Sequence, residues 1–280
     1  MKALLALFCA FAAHGQDLVP LLSRLSSEAE NFRRLAPQTL AEETLEQRVV
    51  LPSRTSGPAA FHTREIVSEY TIGHLESSHG SLHEFRQVIR VDGRAVRKPE
   101  KARHTLSLGM TSPDDRSRKR MLEDFQAYGL TGAAVDFGPL ILLFTREQIR
   151  NYIFTAAGTA RLGADEVLVL SYKQAGGGAN LTVFSGRNTV RQPLEGRVLL
   201  RKTDGLPIRI TLSAARTENG RPYVEQAAVD YIPTTYGSIA PAAVLHRSLA
   251  GSELVTEHRF RYSAFKKFGA ETEIKFTEIP

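Results

Sequence analysis

Three histidines lie within ten residues of one another in this sequence, at His74, His79 and His83. Imidazoles at such spacing bind a metal when their rings converge on one point. The stretch that carries them is typical of a loop entering a strand, and His83-Glu84 lacks the second histidine of a helical zinc-protease motif. We interpret these residues as ordinary histidines of a turn and a strand edge, and the sequence predicts neither a metal site nor a cofactor.

Nucleophilic and phosphate-binding motifs have little support in the rest of the chain. Ser78-His79-Gly80-Ser81 is a local run and does not form the Gly-x-Ser-x-Gly turn of a nucleophile elbow. Gly176-Gly-Gly178 lacks the spacing of a phosphate loop, and Asp165-Glu166 stands just before a strand, where a turn is expected. We interpret His258, on the apolar face of an alternating strand, as a hydrogen-bonded core residue. No catalytic residue is predicted.

The first sixteen residues, Met1 to Gln16, have the composition of a signal peptide. Lys2 supplies one positive charge, an apolar run follows, and small residues precede a cleavage position after Gly15. We therefore expect an exported protein, periplasmic or extracellular. Cys9, the single cysteine, lies in this leader and outside any lipid-attachment motif, so the mature chain would have neither a thiol nor a disulfide.

Charge and hydropathy indicate neither nucleic-acid binding nor a membrane-spanning helix. Without Lys2 the chain has 35 basic and 30 acidic residues, a mild and dispersed excess that does not indicate nucleic acid. After the leader, no apolar stretch approaches the roughly 20 residues of a membrane-spanning helix. We expect association with a membrane to be peripheral at most.

The segment after the leader is predicted to be helical. Apolar residues recur at three- and four-residue steps from Asp17 to Ala36, and Pro37 ends the pattern. Thr39-Leu-Ala-Glu42 matches a capping box, which predicts a second short helix from Leu40 to Arg48. These patterns divide the chain into a signal peptide (1–15), N-terminal helices (16–51), a turn-rich linker (52–62) and a sheet domain with inserted helices (63–280).

Alternation with a period of two begins near Thr63 and indicates strands. His83 to Val91 is predicted to be a half-buried strand with its charged residues on the exposed face, ending in a turn at Asp92-Gly93. A further helix is expected between a cap at Ser112 and a stop at Gly129.

Strand registers can be predicted where turns or charges select them. Asn219-Gly220 suits a type I′ hairpin turn, which brings several favourable cross-strand pairs together. The expected pairs are Glu218 with Arg221, Leu212 with Ala227, Ile210 with Val229, Ile208 with Tyr231, Arg209 with Asp230, Val198 with Ile210, and Leu200 with Ile208. In the last hairpin, charge complementarity favours a register with Arg261 opposite Glu271.

These elements together predict an α+β protein in which a large curved antiparallel sheet packs against a few helices. The helices could fill the concave side of the sheet or leave an apolar cleft there, and the pattern does not decide between the two. Aromatic residues on the strands would then be core or would line the cleft. The candidates for ligand contact are Tyr70, Phe85, Tyr172, Phe184, Tyr231, Phe260 and Tyr262.

The order of parts resembles the LolA/LolB-like and RseB-like periplasmic lipoprotein-binding fold, in which a helix precedes a half-barrel of antiparallel strands. The tail Tyr262-Ser-Ala-Phe265-Lys-Lys-Phe268-Gly-Ala-Glu-Thr-Glu-Ile-Lys-Phe276, together with Val91-Asp-Gly93, is similar to segments of uncharacterised secreted bacterial proteins of that sort. The resemblance implies a non-enzymatic protein that holds lipid, acyl chains or a lipoprotein on its concave face. A helix or loop would move to admit them, with Thr131-Gly132 to Gly138-Pro139 as the expected hinge.

Two other functions stay open at this point. The chain could be an envelope protein-interaction or sensor module that binds a partner by its sheet edge or charged face, without a lipid cavity. It could also be a hydrolase whose residues come together only in three dimensions. A continuous apolar cavity, an exposed apolar patch over a filled core, or a polar cleft with clustered histidine, carboxylate and serine would distinguish the three.

Overall fold

The computed structural model describes residues 18–51, 60–74, 82–111, 115–130, 136–177, 181–185, 188–218 and 220–267. The leader, the centre of the expected linker and the last thirteen residues therefore lie outside the described residues. No helix within the described ranges is long and apolar enough to cross a membrane.

The first helix, α1, covers Leu18–Leu35 as its apolar spacing predicts, and a short 3-10 turn at Ala36–Gln38 follows it. The second helix is not present, and that prediction was wrong. Thr39–Val50 forms strand β1 instead, so this part of the expected helical segment belongs to the sheet. Its buried face alternates apolar and polar residues. Because Glu43 and Gln47 are polar, the sequence does not show the apolar alternation that is typical of a strand.

One open antiparallel sheet of eleven strands organises the described chain. Its spatial order is β4-β3-β2-β1-β13-β12-β11-β10-β9-β6-β5, and a separate hairpin of β7 and β8 joins β6 to β9 in sequence. The strands are β1 (Thr39–Val50), β2 (Phe61–His74), β3 (Leu82–Val91), β4 (Arg94–Ala95), β5 (Tyr152–Leu162), β6 (Asp165–Gln174), β7 (Leu181–Ser185), β8 (Asn188–Gln192), β9 (Glu195–Arg201), β10 (Pro207–Glu218), β11 (Arg221–Pro233), β12 (Ile239–Ala250) and β13 (Glu253–Lys267). The α+β class and the open antiparallel sheet agree with the sequence analysis.

Two more helices cover the sheet near β3. Helix α2, Pro99–Thr111, buries Ala102 and Leu106, and helix α3, Asp115–Ala127, buries Met121 and Phe125. The sequence predicts α3, with Met121, Leu122 and Phe125 as its buried side; Met121 and Phe125 are buried and Leu122 is only partly so, and α2 was missed. The capping residue expected at Ser112 lies outside the described residues.

Strand β3 occupies the expected position but is not half-buried. Its two faces are both covered, and Glu84 and Arg86 on the supposedly exposed face are 2% and 6% exposed. Phe85 packs with Leu106 of α2 and Met121 of α3 on one face, while Arg86 points to the main core on the other. A sequence pattern cannot show that a second layer will cover a charged face.

Most of the predicted registers are confirmed. Residues Arg209 to Glu218 pair with Arg221 to Asp230 as the Asn-Gly turn requires, and Val198 lies opposite Ile210. The pairing of Leu200 with Ile208 was wrong, because an irregularity after Pro207 shifts the register and places Leu200 opposite Pro207.

The predicted final hairpin was also wrong. Arg261 lies between Ala243 of β12 and Thr44 of β1, and Glu271 is outside the described residues. Strand β13 has a hydrogen-bonded neighbour on each side, so local charge complementarity was outweighed by pairing with a strand more than 200 residues earlier in sequence.

Candidate ligand-binding site

A short apolar segment covers the concave face of the sheet. This plug segment, Gly138–Phe144, forms a 3-10 helix and contacts α1, β3 and β12. All of its residues except Leu142 are buried. The segment is therefore part of the main core, together with Phe32 of α1 and the inward side chains of the strands.

Polar groups of the sheet hold the start of the plug segment. The Gly138 N–H donates to Glu84 Oε1 at 3.0 Å, and the Tyr70 hydroxyl donates to the same oxygen at 2.8 Å. The Tyr231 hydroxyl accepts from the Ile141 N–H and donates to the Gly138 carbonyl, both at 3.0 Å. The Gly138 N–H is a group that a 3-10 helix leaves without an internal partner, and the Tyr231 hydroxyl bonds both ends of the Gly138–Ile141 turn.

Gly138 is required for this close approach. A Cβ atom at this position would lie 2.4 Å from Glu84 Oε1 and 2.8 Å from the Tyr70 hydroxyl. Any other residue would push the plug segment away from the sheet.

The anchor for the plug segment belongs to a buried charge network. Arg86 Nε donates to Glu43 at 2.7 and 3.0 Å, and Arg86 Nη2 donates to Glu84 Oε2 at 2.7 Å. The guanidinium also lies 5.5 Å from the ring centre of Tyr70 and 5.4 Å from that of Phe260. Burial raises the pKa of Glu84, and the nearby charge of Arg86 opposes that rise.

A second polar chain crosses four strands beneath the same face. Glu225 Oε2 and His246 Nε2 are 2.9 Å apart, and the Nδ1 atoms of His246 and His258 are 3.4 Å apart. His258 Nε2 then meets Gln47 Oε1 at 3.2 Å, and Gln47 Nε2 donates to the Gly129 carbonyl at 2.9 Å. His258 is thus the hydrogen-bonded core residue that its strand position indicates.

The partners of this chain indicate which imidazole nitrogens face an acceptor. Gln47 Oε1 accepts from His258 Nε2, and the Glu225 carboxylate accepts from His246 Nε2.

A cavity of about 230 Å³ lies at the margin of the concave face, between the plug segment, α1 and the start of β3. Its apolar lining consists of Leu82, Pro139, Leu140, Leu142 and Leu143, and Arg33, Thr145 and Gln148 stand among its polar residues. Arg33 and Glu147 also line a broad polar groove of about 1020 Å³ along α1. Another apolar pocket, between α1, β2 and β12, has about 20 Å³ of space, enough for about one water molecule.

The aromatic candidates from the sequence lie mostly in the core. Five of them are at most 7% exposed and belong to the main cluster: Tyr70, Tyr172, Tyr231, Phe260 and Tyr262. Tyr70 lines the 20 Å³ pocket, and Tyr231 holds the plug segment. Phe85 lies on the opposite face of β3, and the side chain of Phe184, on β7, is outside the described residues. Their contact with a ligand stays a prediction.

The histidine group and the serines do not form a catalytic site in the described chain. His83 Nδ1 lies 2.7 Å from Asp136 Oδ2, and exposed His74 ends β2. His79 and both serines of the Ser78–Ser81 run are outside the described residues, as are Thr131 and Gly132 of the expected hinge. Within the described ranges, no three histidine, cysteine or acidic side chains are placed to hold a metal.

Sequence reasoning missed the cavity residues and the polar chain. The apolar sequence from Leu140 to Phe144 predicts a buried segment, but it does not show which face of the sheet the segment will cover. Gln47 and His258 are 211 residues apart, so only pairing of β1 with β13 brings them together. The one available signal was an apolar run too short for a helix, preceded by Gly138-Pro139.

Solved structures of three proteins are similar to this chain over most of its length. The first is a domain described as an outer membrane lipoprotein-sorting protein from Vibrio parahaemolyticus, with a TM-score of 0.40 and 10% identity, covering 89% of this chain and 93% of that one. A LolA superfamily protein from Nitrosomonas europaea has a TM-score of 0.32 and 9% identity, covering 88% and 93%. A DUF1329 family protein from Desulfovibrio piger has a TM-score of 0.39 and 9% identity, covering 94% and 98%.

With TM-scores of 0.40 or less and identities of 10% or less, these similarities carry no argument about the superfamily or the ligand of this chain. No protein-family model matches the chain, and no curated protein matches it.

Proposed function

We propose that this protein binds the acyl chain of a lipid or lipoprotein at the concave side of its sheet, without transforming it chemically. The observation that carries this proposal is the 230 Å³ cavity between the plug segment and α1. An apolar cavity of about 150 Å³ suffices to bind a molecule as large as benzene. The cavity can therefore take a short length of hydrocarbon without any rearrangement of the core.

Displacement of the plug segment would extend the site. Leu140, Ile141, Leu143 and Phe144 occupy the concave face, where an incoming chain would replace their contacts with similar apolar ones. Each methylene removed from water contributes about 0.8 kcal/mol, and this gain would offset the loss of the hydrogen bonds that hold Gly138. The cavity would act as the first contact and the plug segment as the element that moves.

Export is part of the same proposal. We infer that the leader directs the chain out of the cytoplasm and is removed after Gly15, because lipoproteins and free acyl chains need a carrier in an aqueous envelope compartment. N-terminal sequencing of protein recovered from the envelope fraction should begin at Gln16. Recovery from the cytoplasm with an intact Met1 would contradict this part of the proposal.

Native mass spectrometry of detergent-free protein is the first test of acyl-chain binding. We expect adducts that solvent extraction identifies as lipid or acylated peptide, and a saturable signal with a fluorescent fatty acid. Leu142→Trp should reduce that signal at least tenfold, because Leu142 lines the cavity and is the least buried residue of the plug segment. Leu199→Trp is the matched control, since Leu199 packs in a separate cluster with Val169 and Ile208.

Both variants should melt within a few degrees of the parent protein. Equal fatty-acid binding by Leu142→Trp and the parent would exclude the cavity as the site. A bare mass that added lipid leaves unchanged would contradict acyl-chain binding altogether.

Edge strand β5 supports a second candidate function, binding of an extended segment of another envelope protein. Tyr152–Leu162 is the last strand at one side of the sheet, and its residues from Thr155 to Arg161 are exposed. The strand has no charged residue before Arg161, although charges are a common means of protecting such edges. A photo-crosslinking residue at Thr155 should then capture a partner in cells, whereas one at exposed Thr217 should not. Equal labelling at both positions would contradict the edge site.

A further inference from the structure

Three arginines share one buried carboxylate on the outer face of the sheet. Glu257 of β13 has a side chain that is 2% exposed, with Arg48 of β1 on one side and Arg247 of β12 on the other. Arg247 Nε lies 2.7 Å from Glu257 Oε2, and Arg259 Nη2 and Arg48 Nη1 lie 2.9 and 3.4 Å from Oε1. We call Arg48, Arg247 and Arg259 the arginine cluster.

The arginine cluster carries more charge than its carboxylate neutralises. Glu257 cancels one of three positive charges, and its pKa is held below the ordinary value: burial alone would raise it, but the bond from Arg247 and the charges of the cluster outweigh burial. Glu46 of β1 lies opposite Arg259 and pairs with Arg261, the next arginine along β13. Glu65 on β2 lies opposite Glu46. With these neighbours included, four arginines still outnumber three carboxylates on this part of the face.

The guanidinium groups remain open to solvent. The side chains of Arg48, Arg247 and Arg259 are 41%, 41% and 48% exposed, although each contacts Glu257. A buried anion therefore holds the cluster in place while its unused N–H donors face outward. Planar guanidiniums in fixed positions are suited to bind phosphate oxygens.

Exposed apolar residues stand at the same end of the sheet. Phe61 at the start of β2 is 40% exposed and lies under Arg48, with 4.5 Å between the guanidinium carbon and the ring centre. Leu51, just after β1, is 44% exposed and is tied to Ala60 by a backbone hydrogen bond. Cations beside exposed apolar side chains are the combination by which proteins attach to anionic lipid surfaces.

We propose that this face docks on an anionic phospholipid bilayer, with the arginine cluster on the lipid phosphates and Phe61 at the headgroup boundary. Charge complementarity favours this partner, because the arginine cluster has a net positive charge and the surface of such a bilayer is negative. The docking face is on the outer side of the sheet, and the acyl-chain cavity is at the concave side. Vesicle docking and acyl-chain binding are therefore separate properties that can fail separately.

Co-sedimentation of the full mature chain with vesicles tests the proposal. At about 0.1 M salt, where the Debye length is about 10 Å, we expect binding to vesicles that contain phosphatidylglycerol and little binding to pure phosphatidylcholine. Each arginine near such a surface contributes about fivefold to partitioning, so Arg247→Gln with Arg259→Gln should weaken it about 30-fold.

Two matched variants control for charge and for hydrophobicity. Arg201→Gln with Arg209→Gln removes the same net charge, but these arginines pair one-to-one with Asp204 and Asp230. This control should lose much less binding. Phe61→Ala should also weaken vesicle binding, whereas Ile232→Ala, at a residue 42% exposed on β11, should not.

Three results would overturn the proposal. Equal loss in the two arginine pairs would show that only overall charge matters. Equal binding to both kinds of vesicle would exclude phosphate recognition. Displacement by inorganic phosphate, at an ionic strength where sodium chloride has no effect, would show a site for free phosphate in place of a bilayer. If the cluster variant melts well below the parent protein, Phe61→Ala against Ile232→Ala still decides the question.

Discussion

Replacing Arg86 by methionine should destabilise the protein strongly. The side chains of Arg86, Glu43 and Glu84 are 6%, 1% and 1% exposed, so the substitution leaves two carboxylates in the core without their cation. Removal of one partner from a buried ion pair costs about 3–5 kcal/mol. In a chain of this length each kcal/mol lowers the melting temperature by about 2–4 °C, which gives a decrease of about 6–20 °C.

Thermal unfolding followed by circular dichroism measures this decrease directly. Arg209→Met is the matched control, because Arg209 forms a pair with Asp230 at the sheet surface, with a side chain 33% exposed. Arg209→Met should lower the free energy of unfolding by about 1 kcal/mol or less. Adding Glu43→Gln and Glu84→Gln to Arg86→Met should recover much of the lost stability, since no uncompensated charge then remains.

The pH dependence of Arg86→Met has a definite sign. Burial already raises the pKa of Glu84, and loss of the guanidinium raises it further. For an acid whose pKa is raised in the folded state, the destabilisation is relieved as the pH falls below that raised pKa towards the ordinary value of 4.5. The difference in melting temperature between Arg86→Met and the parent protein should therefore become smaller from pH 7 to about pH 5. A variant that melts within 3 °C of the parent at pH 7, or a triple variant less stable than the single one, would refute this account.

Other predictions concern the plug segment, the polar chain and Glu257. Gly138→Ala should cost about 1–3 kcal/mol by overpacking against Glu84, measured by urea unfolding; an unchanged midpoint would show that the segment can move away freely. Tyr231→Phe should cost about 1–3 kcal/mol, because it removes two buried hydrogen bonds between the sheet and the plug segment. In nitrogen NMR of labelled histidine, His246 and His258 should each carry a proton on Nε2, and an unprotonated Nε2 on either ring would contradict the assigned hydrogen bonds. Glu257 has a lowered pKa, so its contribution is complete above its ordinary value of 4.5 and is lost as the pH falls below it. Glu257→Gln should therefore flatten the acid side of the stability profile.

The sequence by itself determined the local elements wherever one face of an element is apolar. The spacing in α1, the alternation in β3 and the Asn-Gly turn between β10 and β11 each predict the observed element, because helical and strand periods are properties of neighbouring residues. The antiparallel α+β class follows from these elements alone.

Strand β1 shows where local reasoning ends. Glu43 and Gln47 interrupt its apolar face, so the sequence shows no strand pattern there. The capping-box pattern Thr39-Leu-Ala-Glu42 therefore predicted a helix instead. Their partners, Arg86 and His258, are distant in sequence, and only the assembled sheet makes those buried polar groups favourable.

Tertiary structure alone decided the sites. The cavity exists because the plug segment lies against α1, and the arginine cluster exists because β1 and β12 flank β13, contrary to the local hairpin that charges at the end of the chain favoured. A pattern of residues records which face of an element is apolar. It does not record which distant element will cover that face, because this choice depends on packing of the whole chain.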